Sequence, residues 1–183
     1  MSMNGFFKAF PAATYDEMLQ EPARIDKLVW DEDQSLDSTD VETAWDVLQH
    51  LLDGAGFDPD RPAFFIWLGV VPYLGRAAIA DTLRYIASVP QSEVVFDYSE
   101  PLENYPPERR AAIVALGAYT AEIGEPWLSH FDPDEIAQEL RGYGFEDLED
   151  LGMSQMAIRY LEAPADTPDS GPGGHVIRAA RAP

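Results

Sequence analysis

The sequence predicts an α/β fold, on three observations. Strand-like and helix-like stretches alternate along the later part of the chain. One strand-like run, Ala63–Val71 (AFFIWLGVV), is apolar on both faces. Helix start and stop signals fall between the strands. A run apolar on both faces belongs inside a parallel sheet covered by helices.

Taken in order, Gly5–Phe10 is predicted as a short strand and Tyr15–Gln20 as a short helix. An acidic stretch follows over 30–40. Thr39 and Glu42 then have capping-box spacing, in which the two side chains satisfy the free amides of a helix start. Val41, Trp45, Leu48 and Leu52 recur at helical spacing and predict a helix over Asp40–Leu52, stopped by Gly54 and Gly56. Beyond the Ala63–Val71 strand, Arg76–Ser88 carries Ile79, Leu83 and Ile86 on one helical side. Glu93–Tyr98 (EVVFDY) reads as the next strand and Glu108–Ile123 as a second long helix. Asp132-Pro133-Asp134-Glu135 opens a third, with aspartate as N-cap, proline at the first helical position and glutamate closing a box. It ends at Gly142 or Gly144. Phe145–Leu151 and His175–Ala180 are the last strands, joined by a short helix near Met153–Leu161 and a Pro/Gly-rich turn, Pro168–Gly174.

The chain of 183 residues is one domain, or one and a fraction. Its 46% hydrophobic content suffices for a packed core, and its net charge of −21 excludes nucleic-acid backbones and anionic membranes as partners. Without cysteine there is no disulfide framework, thiolate metal site or thiol nucleophile. No apolar run reaches the roughly 20 residues that span a bilayer. The first ten residues, with Lys8 inside the apolar stretch, do not read as a signal peptide, so a cytoplasmic location is expected. The two lysines, Lys8 and Lys27, both lie early, and every later basic residue is arginine. This shift marks a seam near Asp53-Gly54, dividing 1–54 from 55–183.

Residues 55–74 (AGFDPDRPAFFIWLGVVPYL), 124–133 (GEPWLSHFDP), 144–152 (GFEDLEDLG), 159–161 (RYL) and 174–181 (GHVIRAAR) fall in one order. In that order they resemble the C-terminal half of the leucine carboxyl methyltransferase family. The resemblance implies strands four to seven of a class I, Rossmann-like methyltransferase sheet and S-adenosylmethionine as cofactor. It also implies a carboxylate methyl acceptor and transfer by positioning rather than covalent catalysis. It places Trp67 and Gly69 on the cofactor side, and Tyr73, Trp127, Arg159 and Tyr160 by the acceptor; it assigns no catalytic residue and no metal. Such enzymes grip the cofactor on a glycine-rich turn after the first strand and hold the ribose with an acid after the second. The one G-x-G here, Gly54-Ala55-Gly56, follows a helix and reads as a helix stop. The cofactor-gripping half is therefore expected to be missing, and the chain truncated and inactive alone. Residues 1–7 (MSMNGFF) and 36–54 (LDSTDVETAWDVLQHLLDG) are similar instead to the start of the YfbM-like domain of unknown function. That likeness supplies the rival reading, a non-catalytic interaction or regulatory protein.

Blander readings compete at several positions. Trp67 and Tyr73 in an apolar strand region more often pack than bind. His50, His130 and His175 lack metal-ligand spacing, and Ser129-His130 with Asp132 has no nucleophile elbow. The run 31–42 has acids where a calcium loop has them, but Leu36 stands where its glycine is needed. Asp97 and Glu100 read as ordinary strand-end acids. One physical expectation follows from the missing half: the Ala63–Val71 strand would show water an open, aggregation-prone edge. Either Gly5–Phe10, the Asp40–Leu52 helix, a second copy in a homodimer or a partner chain is expected to cover it.

Overall fold

The computed structural model describes residues 57–182 and, by backbone, 6–11. The predicted elements at Tyr15–Gln20 and Asp40–Leu52, with the Thr39/Glu42 box, lie outside the described residues. The described elements run β1 (Phe6–Pro11), β2 (Ala63–Leu68), α1 (Arg76–Ser88), β3 (Glu93–Ser99), α2 (Pro107–Glu122), α3 (Pro133–Tyr143), β4 (Phe145–Gly152), α4 (Met153–Tyr160) and β5 (Gly174–Arg181).

The predicted α/β class is observed. The strands form one sheet of order β1-β2-β3-β5-β4. β2 and β3 are parallel, joined through α1, with Phe64 opposite Glu93 and Trp67 opposite Phe96. β5 lies antiparallel to both β3 and β4. It follows that β2, β3 and β4 share one direction and β5 opposes them. The order and directions of β2, β3, β5 and β4 match those expected for strands four to seven of a doubly wound sheet, with a reversed strand before the last position. β1 runs antiparallel along the free edge of β2, from Phe6 opposite Leu68 to Pro11 opposite Ala63. The segment expected as one of the covers for that edge is thus in place along all six residues of β2.

Alternation along the strands positions the core. Ala63, Phe65 and Trp67 of β2 are buried with Val94, Phe96 and Tyr98 of β3 and Ile177 and Ala179 of β5. Ile79, Leu83 and Ile86 from α1 and Ile136 and Leu140 from α3 join the same cluster. Each fully buried side chain of this size is worth about 1.5–3 kcal/mol. The opposite face is less covered: Phe64, Ile66, Val95 and Asp97 are half-buried. The prediction that β2 is enclosed on both faces therefore holds for one face only among the described residues.

Local signals fix the ends of the elements. β2 stops at Leu68 rather than Val71 because Gly69 turns to φ +71 and donates its N–H to the Asp97 carboxylate at 2.5 Å. Val71–Tyr73 then forms a 3-10 turn. α1 matches its predicted span. α3 begins at Pro133 with the Asp132 carboxylate accepting from the Asp134 N–H, and ends at Gly144 in the left-handed region. The predicted box at that start is not closed by Glu135. Its carboxylate accepts from Arg76 instead, at 3.1 Å through both oxygens. Arg76 also donates to Glu139 and to the His130 carbonyl, with its guanidinium 3.9 Å over the Phe131 ring. One arginine thus ties the start of α1 to α3 and to the loop before it. Among the described residues no helix is long and apolar enough to cross a membrane.

Candidate functional site

In open α/β sheets ligands gather at the carboxyl ends of the parallel strands. Here that edge is formed by Gly69 and the Val71–Tyr73 turn after β2, Ser99–Tyr105 after β3, and the start of β5. The 123–132 loop between α2 and α3 is pinned there by its backbone. Leu128 and Ser129 donate to the Pro72 carbonyl, Ser129 Oγ bonds the Leu74 carbonyl, and Phe131 N–H donates to Ser99 at 3.0 Å.

A cavity of about 240 Å³ opens between this loop and α2, with Glu100, Ile113, Gly117, Pro126, Trp127 and His130 in its wall. Its upper side is α2, none of whose side chains is buried. Trp127 packs on the bare backbone of Gly117, 3.7 Å from where a Cβ would stand.

Beneath the cavity lies a buried polar network that joins distant parts of the chain. Tyr98 donates to Asp150 at 2.5 Å. His175 places Nδ1 at 3.0 Å from Asp150 and Nε2 at 3.1 Å from Glu100, and its ring stacks on Tyr98 at 5.0 Å. Glu100 also accepts from the Gly173 N–H at 3.1 Å and from Asn104 at 2.7 Å, and Asn104 reaches Asp132 at 3.2 Å. Both ring nitrogens of His175 face carboxylate oxygens, which accept but do not donate when ionised. The doubly protonated ring satisfies both. Burial alone would depress the imidazole, but its hydrogen bonds and charge contacts with Asp150 and Glu100 outweigh this and raise its pKa. Burial, with the Asp150 bond and nearby carboxylates added, raises the Tyr98 phenol far beyond its ordinary range. His130 is shifted the other way. Burial chiefly lowers its pKa and favours the neutral ring, whose Nδ1 lies 3.0 Å from Ser99 Oγ. Burial also raises the Asp97 carboxyl, against the Gly69 hydrogen bond that lowers it.

The predicted site residues are scattered. Trp67 is buried at 1% exposure, beside Phe96 at 6.0 Å between ring centres, and its Nε1 has no partner among the described residues. Gly69 has its N–H committed to Asp97. Tyr73 lies on the turn whose Pro72 carbonyl holds the 123–132 loop, and Trp127 on that loop lines the cavity. Arg159 and Tyr160 sit at the end of α4, outside the cavity wall. Arg159 pairs with Glu149 of β4 at 2.7 Å and Tyr160 is 67% exposed. The structure thus draws Tyr73 and Trp127 to one region and leaves the other pair elsewhere. Glu100, His130 and His175 were set aside on the sequence, and Asn104 and Asp150 were not singled out there. Their signal was in the strand order, which alone sets residues 98, 100, 150 and 175 side by side. Among the described residues no set of three His, Asp or Glu side chains converges as a metal site.

No curated protein matches the sequence. Among solved structures, the chain is similar to an exported protein of uncertain assignment from Bordetella parapertussis, at 15% identity and TM-score 0.44, covering 76% of this chain and 51% of that one. It is also similar to an O-methyltransferase, so assigned provisionally, from Nostoc punctiforme (14% identity, TM-score 0.40, 63% and 30% covered). A third likeness is to magnesium protoporphyrin IX methyltransferase from Synechocystis with bound SAH (11%, TM-score 0.36, 64% and 43% covered). The chain spans about half or less of the length of each. Residues 20–87 match the model of the leucine carboxyl methyltransferase family. That match passes through Gly54, so it takes in part of the segment likened to the YfbM-like domain as well as β2 and α1. The chain is methyltransferase-like over that stretch.

Proposed function

We propose that this chain is an S-adenosylmethionine methyltransferase-like protein that keeps the acceptor side of the sheet and does not transfer methyl groups by itself. The observation that supports this reading most is the direction of β1. In a doubly wound sheet the strand beside β2 is parallel to it and delivers its glycine turn to the carboxyl edge, where the cofactor lies. β1 is antiparallel, so the chain enters it at that edge, at Phe6 opposite Leu68, and leaves it at the far edge, at Pro11 opposite Ala63. Any turn that follows β1 starts about 17–20 Å from the ligand crevice, the length of a six-residue strand.

The residues present at the crevice do not fit the cofactor. The Gly69 N–H that would approach it is bonded to Asp97, and Trp67 faces the core rather than the edge. On this reading Trp67 and Gly69 serve the fold, while Tyr73 and Trp127 belong to the acceptor side. Arg159 and Tyr160 have no part in it. Because β1 occupies the edge of β2, neither a second copy nor a partner chain is required to cover Ala63–Leu68.

Calorimetric titration of the full chain with S-adenosylmethionine and with its demethylated product tests the reading. The expected result is no binding tighter than about 1 mM for either. Micromolar binding of either ligand would overturn it.

A further inference from the structure

We infer that the cavity beside α2 is a binding site for a small primary ammonium ion carrying an apolar or aromatic body. The inference shares Trp127 with the acceptor side proposed above, but it rests on the cavity wall and needs no cofactor, so its test is independent of cofactor binding.

Charge points to a cation. Glu100 is the anion in the cavity wall, and it is only 8% exposed. Beneath it, protonated His175 lies between Glu100 and Asp150, so these three groups together carry one net negative charge. The nearby arginines are engaged elsewhere. Arg76 is turned to Glu135 and Glu139, Arg109 donates to the Ser170 carbonyl, and Arg110 donates to the carbonyls of Tyr105 and Glu103. No arginine is in the cavity wall. A carboxylate ligand would therefore bring a second anion against Glu100 at low local dielectric, where like charges repel strongly.

Hydrogen bonding points to an N–H donor. A carboxylate offers about four acceptor positions. On Glu100, Gly173 and His175 use two on Oε1 and Asn104 uses one on Oε2, which leaves one on Oε2. Shape points to an apolar body. Ile113 and Pro126 line the wall, and the Trp127 indole presents a π-system that attracts a cation. The volume of about 240 Å³ lies just below the range of drug-sized pockets, which suits a small ligand.

The test uses the full chain at neutral pH and three probes of similar shape: 2-phenylethylamine, 2-phenylethanol and phenylacetate. Binding is followed by calorimetry and by the Trp127 indole N–H resonance. The amine is expected to bind about tenfold or more tighter than the alcohol and to shift the Trp127 signal, with no binding of phenylacetate. Gly117→Leu, which grows a side chain from α2 toward Trp127, should abolish amine binding. Glu100→Gln should reduce the amine to the affinity of the alcohol. The inference is overturned if the alcohol or phenylacetate binds as tightly as the amine, if Gly117→Leu leaves amine binding unchanged, or if the amine does not bind. The wild-type probe series decides the matter even where a variant fails to fold.

Discussion

Replacing His175 with phenylalanine removes the two ring N–H groups that face Asp150 and Glu100 while keeping a flat ring to stack on Tyr98, now 5.0 Å from the imidazole. Side-chain exposures of 14% for His175, 9% for Glu100 and 24% for Asp150 place the cluster mostly out of water. Removing one member of such a buried charge cluster typically costs about 3–5 kcal/mol, because the remaining carboxylates lose their counter-ion. For a chain of this length that lowers Tm by roughly 6–20 °C. The pH dependence has a definite sign. The folded-state pKa of His175 is raised, so its contribution is complete below the unfolded value of about 6.5 and is lost as pH rises through the folded value. His130, whose pKa is lowered, acts in the opposite sense, but it is common to both proteins and cancels in the difference. Urea melts of wild type and His175→Phe from mildly acid to alkaline pH should therefore show a gap that is largest at the acid end and narrows upward. Adding Asp150→Asn to His175→Phe should recover part of the loss, since one uncompensated charge is gone. A difference below about 1 kcal/mol that is flat across pH would refute the assignment of His175 as the network's cation.

Two glycines carry opposite expectations in the same melts. Gly144 ends α3 at φ +97, so Gly144→Ala should destabilise by about 1–2 kcal/mol; no loss would mean that the helix does not end there. Gly117 lies inside α2, where a Cβ would meet Trp127 in ordinary contact, so Gly117→Ala should stabilise by about 0.5–1 kcal/mol. A loss there would mean that the cavity wall is packed more tightly than the 3.7 Å spacing indicates.

Much of the fold was legible because its signals are local. The Asp132-Pro133 start and the Gly144 stop of α3 can be read off the sequence, since a cap, a proline at the first helical position and a left-handed glycine act within one turn. α1 and β3 were legible from apolar periodicity, for the same reason. What failed was set by distant partners. Glu135 has capping-box spacing, yet Arg76, 59 residues away, takes its carboxylate. Val70 and Val71 continue the apolar run of β2, but the bond from Gly69 to Asp97, 28 residues on, ends the strand before them.

The candidate site was less legible than the fold. Trp127 was named through the family resemblance, and it lines the cavity. Glu100 and His175 looked like a strand-end acid and a lone histidine, because nothing in their spacing joins residues 75 positions apart. They meet because β5 runs backwards between β3 and β4, setting His175 opposite Tyr98 and next to Gly152. Strand order is a tertiary property, and no periodicity within either segment encodes it.

The direction of β1 along β2 decides whether a turn after it can reach the ligand crevice. Cross-strand Hα–Hα and amide contacts measured by NMR on labelled full-length chain report this directly. Antiparallel contacts are expected among Phe7–Trp67, Lys8–Ile66 and Ala9–Phe65, with slow amide exchange on both strands. Parallel pairing at that edge, or β2 amides there that exchange at once, would contradict that expectation.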